Sequence, residues 1–318
     1  MIDETRDVAD RREDLLTGVL AGVPGREIRT LKDTGWGYLM LPAAAENPGK
    51  TAEGLRVLGI CSATGGFLTF ETLKLLESRL PGKVNIVGMV TDDPVDSRAR
   101  ITKKRRFWRY YTPEEQEEYE RGIIESALTF GVPCYTGEVK CDGFRKLLAE
   151  WDPEFIIVTG FGQLIDGPVI DYPAFGIYNV QPADLLNHHG AGPQPWEDLV
   201  ARRADTTRTA IIQVSKEIDA GSVVGESSTI NIRMADGSLT DDVLMVAEKT
   251  MVPVDHMVAE LLLEVLRRRD EGKIGPVEHI DFESLFTPEF RSRLMEPIEP
   301  SKRGHLLPLP SNELRFHF

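Results

Sequence analysis

Two side-chain amides, Asn179 and Gln181, stand two residues apart at the end of the apolar stretch Phe175-Gly-Ile-Tyr-Asn-Val-Gln-Pro182. An apolar strand runs into the tight segment that carries them, which is where α/β proteins place their chemistry. An amide can donate and accept hydrogen bonds, but it does not ionise near neutral pH. The chain then enters a Gly/Pro-rich turn that carries His188 and His189, and a helix begins near Trp196. Adjacent histidines in such a turn are either solvated or candidates for acid/base work.

Two further stretches could hold an anion. Ser62-Ala-Thr-Gly-Gly66 lies between an apolar run and a helix, where free N–H groups and the helix dipole favour negative charge; Ser62, Thr64, Gly65 and Gly66 are its candidate contacts. The glycines match neither the dinucleotide nor the Walker pattern, so a tight turn without a ligand stands as the alternative. Arg98 to Tyr111 holds the concentrated positive charge of the chain, with Arg105, Arg106 and Arg109 among aromatics. Such a mixture can stack on bases or clamp phosphates, and a phosphate-bearing small substrate is favoured over nucleic acid. The alternative is a solvated loop paired with Glu114, Glu115, Glu117, Glu118 and Glu120.

The elements that must carry these residues are legible from periodicity. Leu55–Cys61, Val84–Val90, Val132–Thr136, Glu154–Thr159 and Ile177–Val180 read as buried strands. Helices are expected over Phe67–Leu80, from Thr112 to about Phe130, and over Asp142–Trp151. This alternation predicts an α/β fold: a Rossmann-like, mostly parallel sheet with helices on both faces. Thr209–Val214 and Ser222–Gly225, the latter continuing to Ile232, add strands. Asp241 to Arg269 reads as one long amphipathic helix, bent at Pro253. The expected division is an N-terminal extension over 1–54, an α/β domain over 55–270 and a tail over 271–318, with one short helix near Thr287 to Leu294.

Composition narrows the class. The chain has 318 residues, 41% of them apolar, enough for a sizeable core. Asp and Glu outnumber Lys and Arg by 51 to 37, which disfavours general binding to nucleic acid or an anionic membrane. Cys61, Cys134 and Cys141 lack the paired spacing of a zinc site, so no metal is expected. No apolar run approaches the ~20 residues of a membrane span, and the N-terminus is charged rather than signal-like. A cytoplasmic protein is expected, with a small-molecule partner and with a homodimer left open.

With the segments placed, the chain resembles the folate-dependent formyltransferases, a family that includes the glycinamide ribonucleotide, methionyl-tRNA and sugar-nucleotide enzymes. The resemblance covers roughly Leu55 to Arg269. It rests on Asn179-Val-Gln-Pro182, Leu185-Leu186, Gly190-Ala-Gly-Pro193, Thr206-Thr-Arg-Thr209 and Asp219-Ala-Gly221, in the family's order and spacing. It implies N10-formyltetrahydrofolate as donor and an amine of a small, anionic substrate as acceptor. It also implies a pterin pocket lined by Gly160, Phe161, Gly162, Gln163, Leu164 and Ile165 with Ile218. Asn179, Gln181 and Asp219 take the positions of the catalytic trio. Gln181 departs from the pattern, in which a histidine stands there. Formyl transfer develops a negative oxygen and relocates a proton, and losing the proton carrier costs about 10²- to 10⁴-fold, roughly 3–5 kcal/mol. Three readings stay open. His188 or His189 replaces the imidazole, Asp219 acts alone on a neutral amine, or the chain is a non-catalytic or slow folate-binding homologue. After the long helix fewer than about 50 residues remain, short of the ~100 typical of a further domain, so the tRNA-formylating branch is disfavoured. Taken singly, Asn179 and Asp219 also have purely structural readings as turn residues.

Overall fold

The computed structural model describes residues 27–30, 37–42, 52–62, 65–91, 110–187, 195–217 and 221–299. A nine-stranded sheet organises them, comprising β1 (Glu27–Thr30), β2 (Gly37–Leu41), β3 (Leu55–Cys61), β4 (Val84–Thr91), β5 (Cys134–Gly137), β6 (Phe155–Thr159), β7 (Ile177–Gln181), β9 (Ala210–Gln213) and β10 (Val223–Glu226). Its order is β1-β2-β5-β4-β3-β6-β7-β9-β10. The five central strands, β5-β4-β3-β6-β7, are parallel, and the pairs outside them are antiparallel. A separate ribbon pairs β8 (Thr206–Thr207) with β11 (Ile230–Asn231).

The parallel strands are the apolar runs of the sequence. Every residue of Phe-Ile-Ile-Val-Thr in β6 is buried, as the covering of both faces requires. One face packs Phe70, Leu73 and Leu76 of α1 (Gly66–Arg79) and Ile123 and Leu128 of α2 (Pro113–Thr129) onto Val57, Cys61 and Ile157. The other packs Phe144, Leu147 and Leu148 of α3 (Asp142–Trp151) and Val169 of α4 (Gly167–Ile170) onto Leu58, Ile60 and Ile156. Local chemistry sets the start of α2. The Thr112 hydroxyl accepts from Glu115 N–H at 3.2 Å, and the Glu115 carboxylate accepts from Thr112 N–H at 2.7 Å. A short α5 (Pro195–Ala201) follows the expected turn.

Three features differ from or extend the sequence reading. Residues 27–30 and 37–41, within the expected extension, enter the sheet, β2 pairing with β5 from Gly37↔Gly137 to Met40↔Cys134. The expected long helix is two, α6 (Val243–Met251) and α7 (Val254–Asp270), because Pro253 has no N–H to continue the ladder. The tail folds back over the domain: Tyr178 Oη accepts from Val277 N–H at 2.6 Å, and Ile280 N–H donates to Val224 O at 2.8 Å. It carries α8 (Phe282–Leu285) and α9 (Pro288–Met295), the latter held by Phe290, which stacks on His256 at 4.0 Å between ring centroids.

Strand order reverses between β3 and β6. The chain runs from β3 outward through β4 to β5, then returns to the other side of β3 for β6 and β7. Their C-terminal ends flank the crevice in which open parallel sheets bind ligands.

Candidate functional site

The loops leaving β3 and β6 meet at this reversal. Ser62 N–H donates to Thr159 O at 3.0 Å, and the Thr69 and Thr159 hydroxyls are 2.9 Å apart. Ser62 is turned inward: its Oγ accepts from Gly65 N–H at 3.2 Å and its carbonyl accepts from Gly66 N–H at 2.9 Å. The hydroxyl therefore shapes the turn that precedes α1.

The glycines differ in what they provide. A Cβ on Gly66 would overlap Cys61, so Gly66 lets the helix start against the strand. A Cβ on Gly65 would meet nothing within 4 Å. Gly160 has φ +65°, and a Cβ there would lie 2.7 Å from Ser62 Oγ, which fixes how closely the two loops approach.

Residues 160–165 present a mixed surface. Phe161 and Ile165 are half-buried against the second core cluster, Gly162 is half-buried, and Leu164 is 49% exposed. Gln163 is used internally. Its Nε2 donates to Gly137 O at 2.7 Å and its Oε1 accepts from Val139 N–H at 3.2 Å, stitching this loop to the end of β5. The apolar side chains and backbone of the loop are what it offers a ligand.

Asn179 and Gln181 lie on one face at the C-terminal end of β7, both half-buried. Asn179 Nδ2 donates to Gln181 Oε1 at 3.3 Å. One N–H of the Asn179 amide is thereby taken, and the other remains a donor in an amide held by its neighbour. Beyond Gln181 the chain turns tightly, with Ala183 N–H donating to Gln181 O at 2.8 Å. Asp184 then accepts from both the backbone and side-chain N–H groups of Asn187. The motif residue Thr209 is fully buried, its hydroxyl donating to Thr250 O at 2.5 Å. It braces β9 rather than facing a ligand.

The structure thus brings Ser62, Gly65, Gly66 and Gly160 together and sets Asn179 beside Gln181. Thr64, Arg105, Arg106, Arg109, His188, His189, Ile218 and Asp219 lie outside the described residues. Two further residues act at this end of β7: Glu226, which no sequence motif marks, and Arg208, which lies within Thr206-Thr-Arg-Thr209. The Glu226 carboxylate is buried, Oε1 accepts from Leu186 N–H at 2.9 Å, and Arg208 Nε stands 4.0 Å from Oε2. Burial raises its pKa above the ordinary carboxylate value, nearby Asp184 adds to the rise, and the Leu186 and Leu185 N–H groups and Arg208 oppose it. The available signal was an acid directly after the apolar run of β10. Among the described residues no three His, Cys, Asp or Glu side chains gather as metal ligands.

Comparison with known proteins gives a consistent picture. The sequence pattern described as formyl transferase matches residues 56–254. The methionyl-tRNA formyltransferase of Dictyoglomus turgidum is 28% identical over 243 residues, which cover 75% of this chain and 68% of that protein. That of Clostridium botulinum is 29% identical over 159 residues, 49% of this chain and 47% of its own length. The chain therefore spans about half to two thirds of these relatives. The crystal structure of phosphoribosylglycinamide formyltransferase from Anaplasma phagocytophilum superimposes with a TM-score of 0.51 at 16% identity, covering 72% of this chain and 98% of that one. This likeness shows the fold. No helix among the described residues is long and apolar enough to cross a membrane.

Proposed function

Because the chain belongs to the formyl transferase family, we propose that it carries a formyl group to the amine of a small anionic substrate in the cytoplasm. Family members take this group from N10-formyltetrahydrofolate. Two features support such a donor here: Gly160, lacking a Cβ, lets its loop lie against Ser62, and Phe161, Leu164 and Ile165 offer apolar surface for a flat heterocycle. Residues 160–165, with Ile218, would hold it. When bound, it supplies an activated formyl carbon.

This chain's own residues do the rest. The free N–H of the Asn179 amide donates to the oxygen on which negative charge develops, and Gln181 fixes the plane of that amide. Asp219 accepts the proton released by the attacking amine. Gln181 cannot, since it does not ionise. Ser62, Thr64, Gly65 and Gly66, with Arg105, Arg106 and Arg109, would receive the anionic end of the acceptor. The relatives named above are called methionyl-tRNA formyltransferases, but a net charge of −14 favours a small acceptor over a polynucleotide here.

The observation that carries the reading is Asn179, at the C-terminal end of β7 and oriented by Gln181. Calorimetric titration with 5-formyltetrahydrofolate tests it, and absence of binding would sink it. Asp219→Asn should abolish formyl transfer with the fold intact, and full activity would rule out the role given to Asp219.

The amide pair also favours a second reading, a folate-binding homologue without rapid transfer, because neither member can move a proton. Gln181→His then restores an ionisable group, and turnover of N10-formyltetrahydrofolate should rise by about 10²- to 10⁴-fold. No rise in a variant that still binds the analogue refutes a simple lapsed enzyme.

A further inference from the structure

The chain leaving Gln181 is first held by Pro182 and Ala183, both buried, and then rises to the surface. Leu186 is 67% exposed, so burial of its side chain does not fix residues 184–187. Asp184 and Asn187 bond to each other, which shapes the turn without attaching it to the sheet. The attachment comes from Glu226, forty positions away, whose Oε1 accepts from Leu186 N–H at 2.9 Å.

Register explains why Glu226 can reach. Gln181 pairs with Ala210 in β9, and Ala210 pairs with Glu226 in β10. Residues directly opposite in antiparallel strands share a face, so Gln181, Ala210 and Glu226 form one row, with a small side chain at its centre. The carboxylate passes over Ala210 toward the loop that follows Gln181. It does so at a cost, since its side chain is 2% exposed and Oε2 is buried without a hydrogen bond. Arg208 faces Oε2 at 4.0 Å, but its guanidinium donates to Ser227 O at 2.7 Å and to Thr229 Oγ1 at 3.3 Å. A buried acid with one oxygen left over is a poor packing solution. What it achieves here is the tether.

We propose that Glu226 is a positioning residue of this site: through the Leu186 amide it holds the segment leaving Gln181 against the sheet, and so sets the acceptor side of the crevice. The catalytic half of this inference rests on the formyl-transfer reading; the tether does not. Glu226→Gln keeps an acceptor for Leu186 N–H, Glu226→Ala removes it, and Glu226→Asp keeps the charge but cannot span the gap.

Amide hydrogen exchange over residues 183–187 reads the tether directly. The Ala and Asp variants should raise exchange at Leu186 by about tenfold while the β9 and β10 amides stay protected, and the Gln variant should stay near wild type. Wild-type exchange at Leu186 in both the Ala and Asp variants overturns the proposal. If the Ala variant fails to fold, the Asp variant decides. With N10-formyltetrahydrofolate as donor and hydroxylamine as surrogate acceptor, the Ala variant should lose about tenfold in turnover at saturating donor, and the Gln variant should recover most of it. Affinity for 5-formyltetrahydrofolate should be unchanged. Equal losses in affinity and turnover would mean a general structural role and overturn positioning. Failure of the wild type to bind 5-formyltetrahydrofolate sinks the formyl-transfer reading alone, and the exchange result still decides the tether.

Discussion

Replacing Gly160 by alanine perturbs the crevice at the point where its two loops touch. The backbone there has φ +65°, a left-handed conformation that costs a residue with a Cβ about 1–2 kcal/mol. The new methyl would also lie 2.7 Å from Ser62 Oγ, closer than non-bonded atoms pack. Ser62 must then rotate and release the Gly65 N–H it accepts at 3.2 Å, a bond worth about 0.5–1.5 kcal/mol. Together these predict a loss of roughly 1.5–3.5 kcal/mol, read as a lower midpoint in urea with an unchanged slope. Gly65→Ala is the control from the same crevice. Its φ of −117° suits alanine and its Cβ would meet nothing within 4 Å, so the cost should stay within about 1 kcal/mol. The Gly160 variant should also bind 5-formyltetrahydrofolate more weakly than the Gly65 variant. Equal stability and equal binding in the two variants would refute the argument that the approach of Gly160 to Ser62 shapes the crevice.

Three other outcomes follow. Cys61 and Cys134 are fully buried and burial pushes both thiols far above their ordinary range, so a thiol reagent should label Cys141 in the native protein and the other two only after unfolding. Labelling of Cys61 in folded protein would contradict the packing of α1 on β3. Glu226 binds its proton more tightly folded than unfolded. Its contribution to stability is therefore fully present below the ordinary value of 4.5 and is lost as pH rises through the raised folded value. Glu226→Gln should flatten the stability profile in that window, and a profile parallel to wild type would contradict it. Pro253→Ala restores the missing N–H and should join α6 to α7, seen as added helical signal; an unchanged helical signal would show that packing rather than the proline makes the break.

Much of the fold can be read from the chain because its causes are local or compositional. Leu55–Cys61, Val84–Thr91 and Phe155–Thr159 are mostly apolar, and a strand covered on both faces leaves that trace. Thr112, Pro113 and Glu115 announce α2 because a capping box involves neighbours only. Asn179 and Gln181 share a face for the equally local reason of strand periodicity, and the family motif marks them.

Tertiary structure decided what depends on residues distant in sequence. Short strands such as Glu27–Thr30, at the sheet edge, and Gly37–Leu41, next to it, carry too few residues for a period, and they become strands only by pairing with each other and with β5. Gln163 sits in a motif expected to face a cofactor, yet two backbone groups of residues 137 and 139 take both ends of its amide. Glu226 reads as an ordinary acid at a strand end until the register through Ala210 sets it under Leu186. The sequence alone determined the five central strands, the helices α1 to α3 that cover them and which amides stand at the end of β7. Which polar groups are left for chemistry was decided by the fold, because hydrogen bonds between distant residues assign each donor and acceptor its partner.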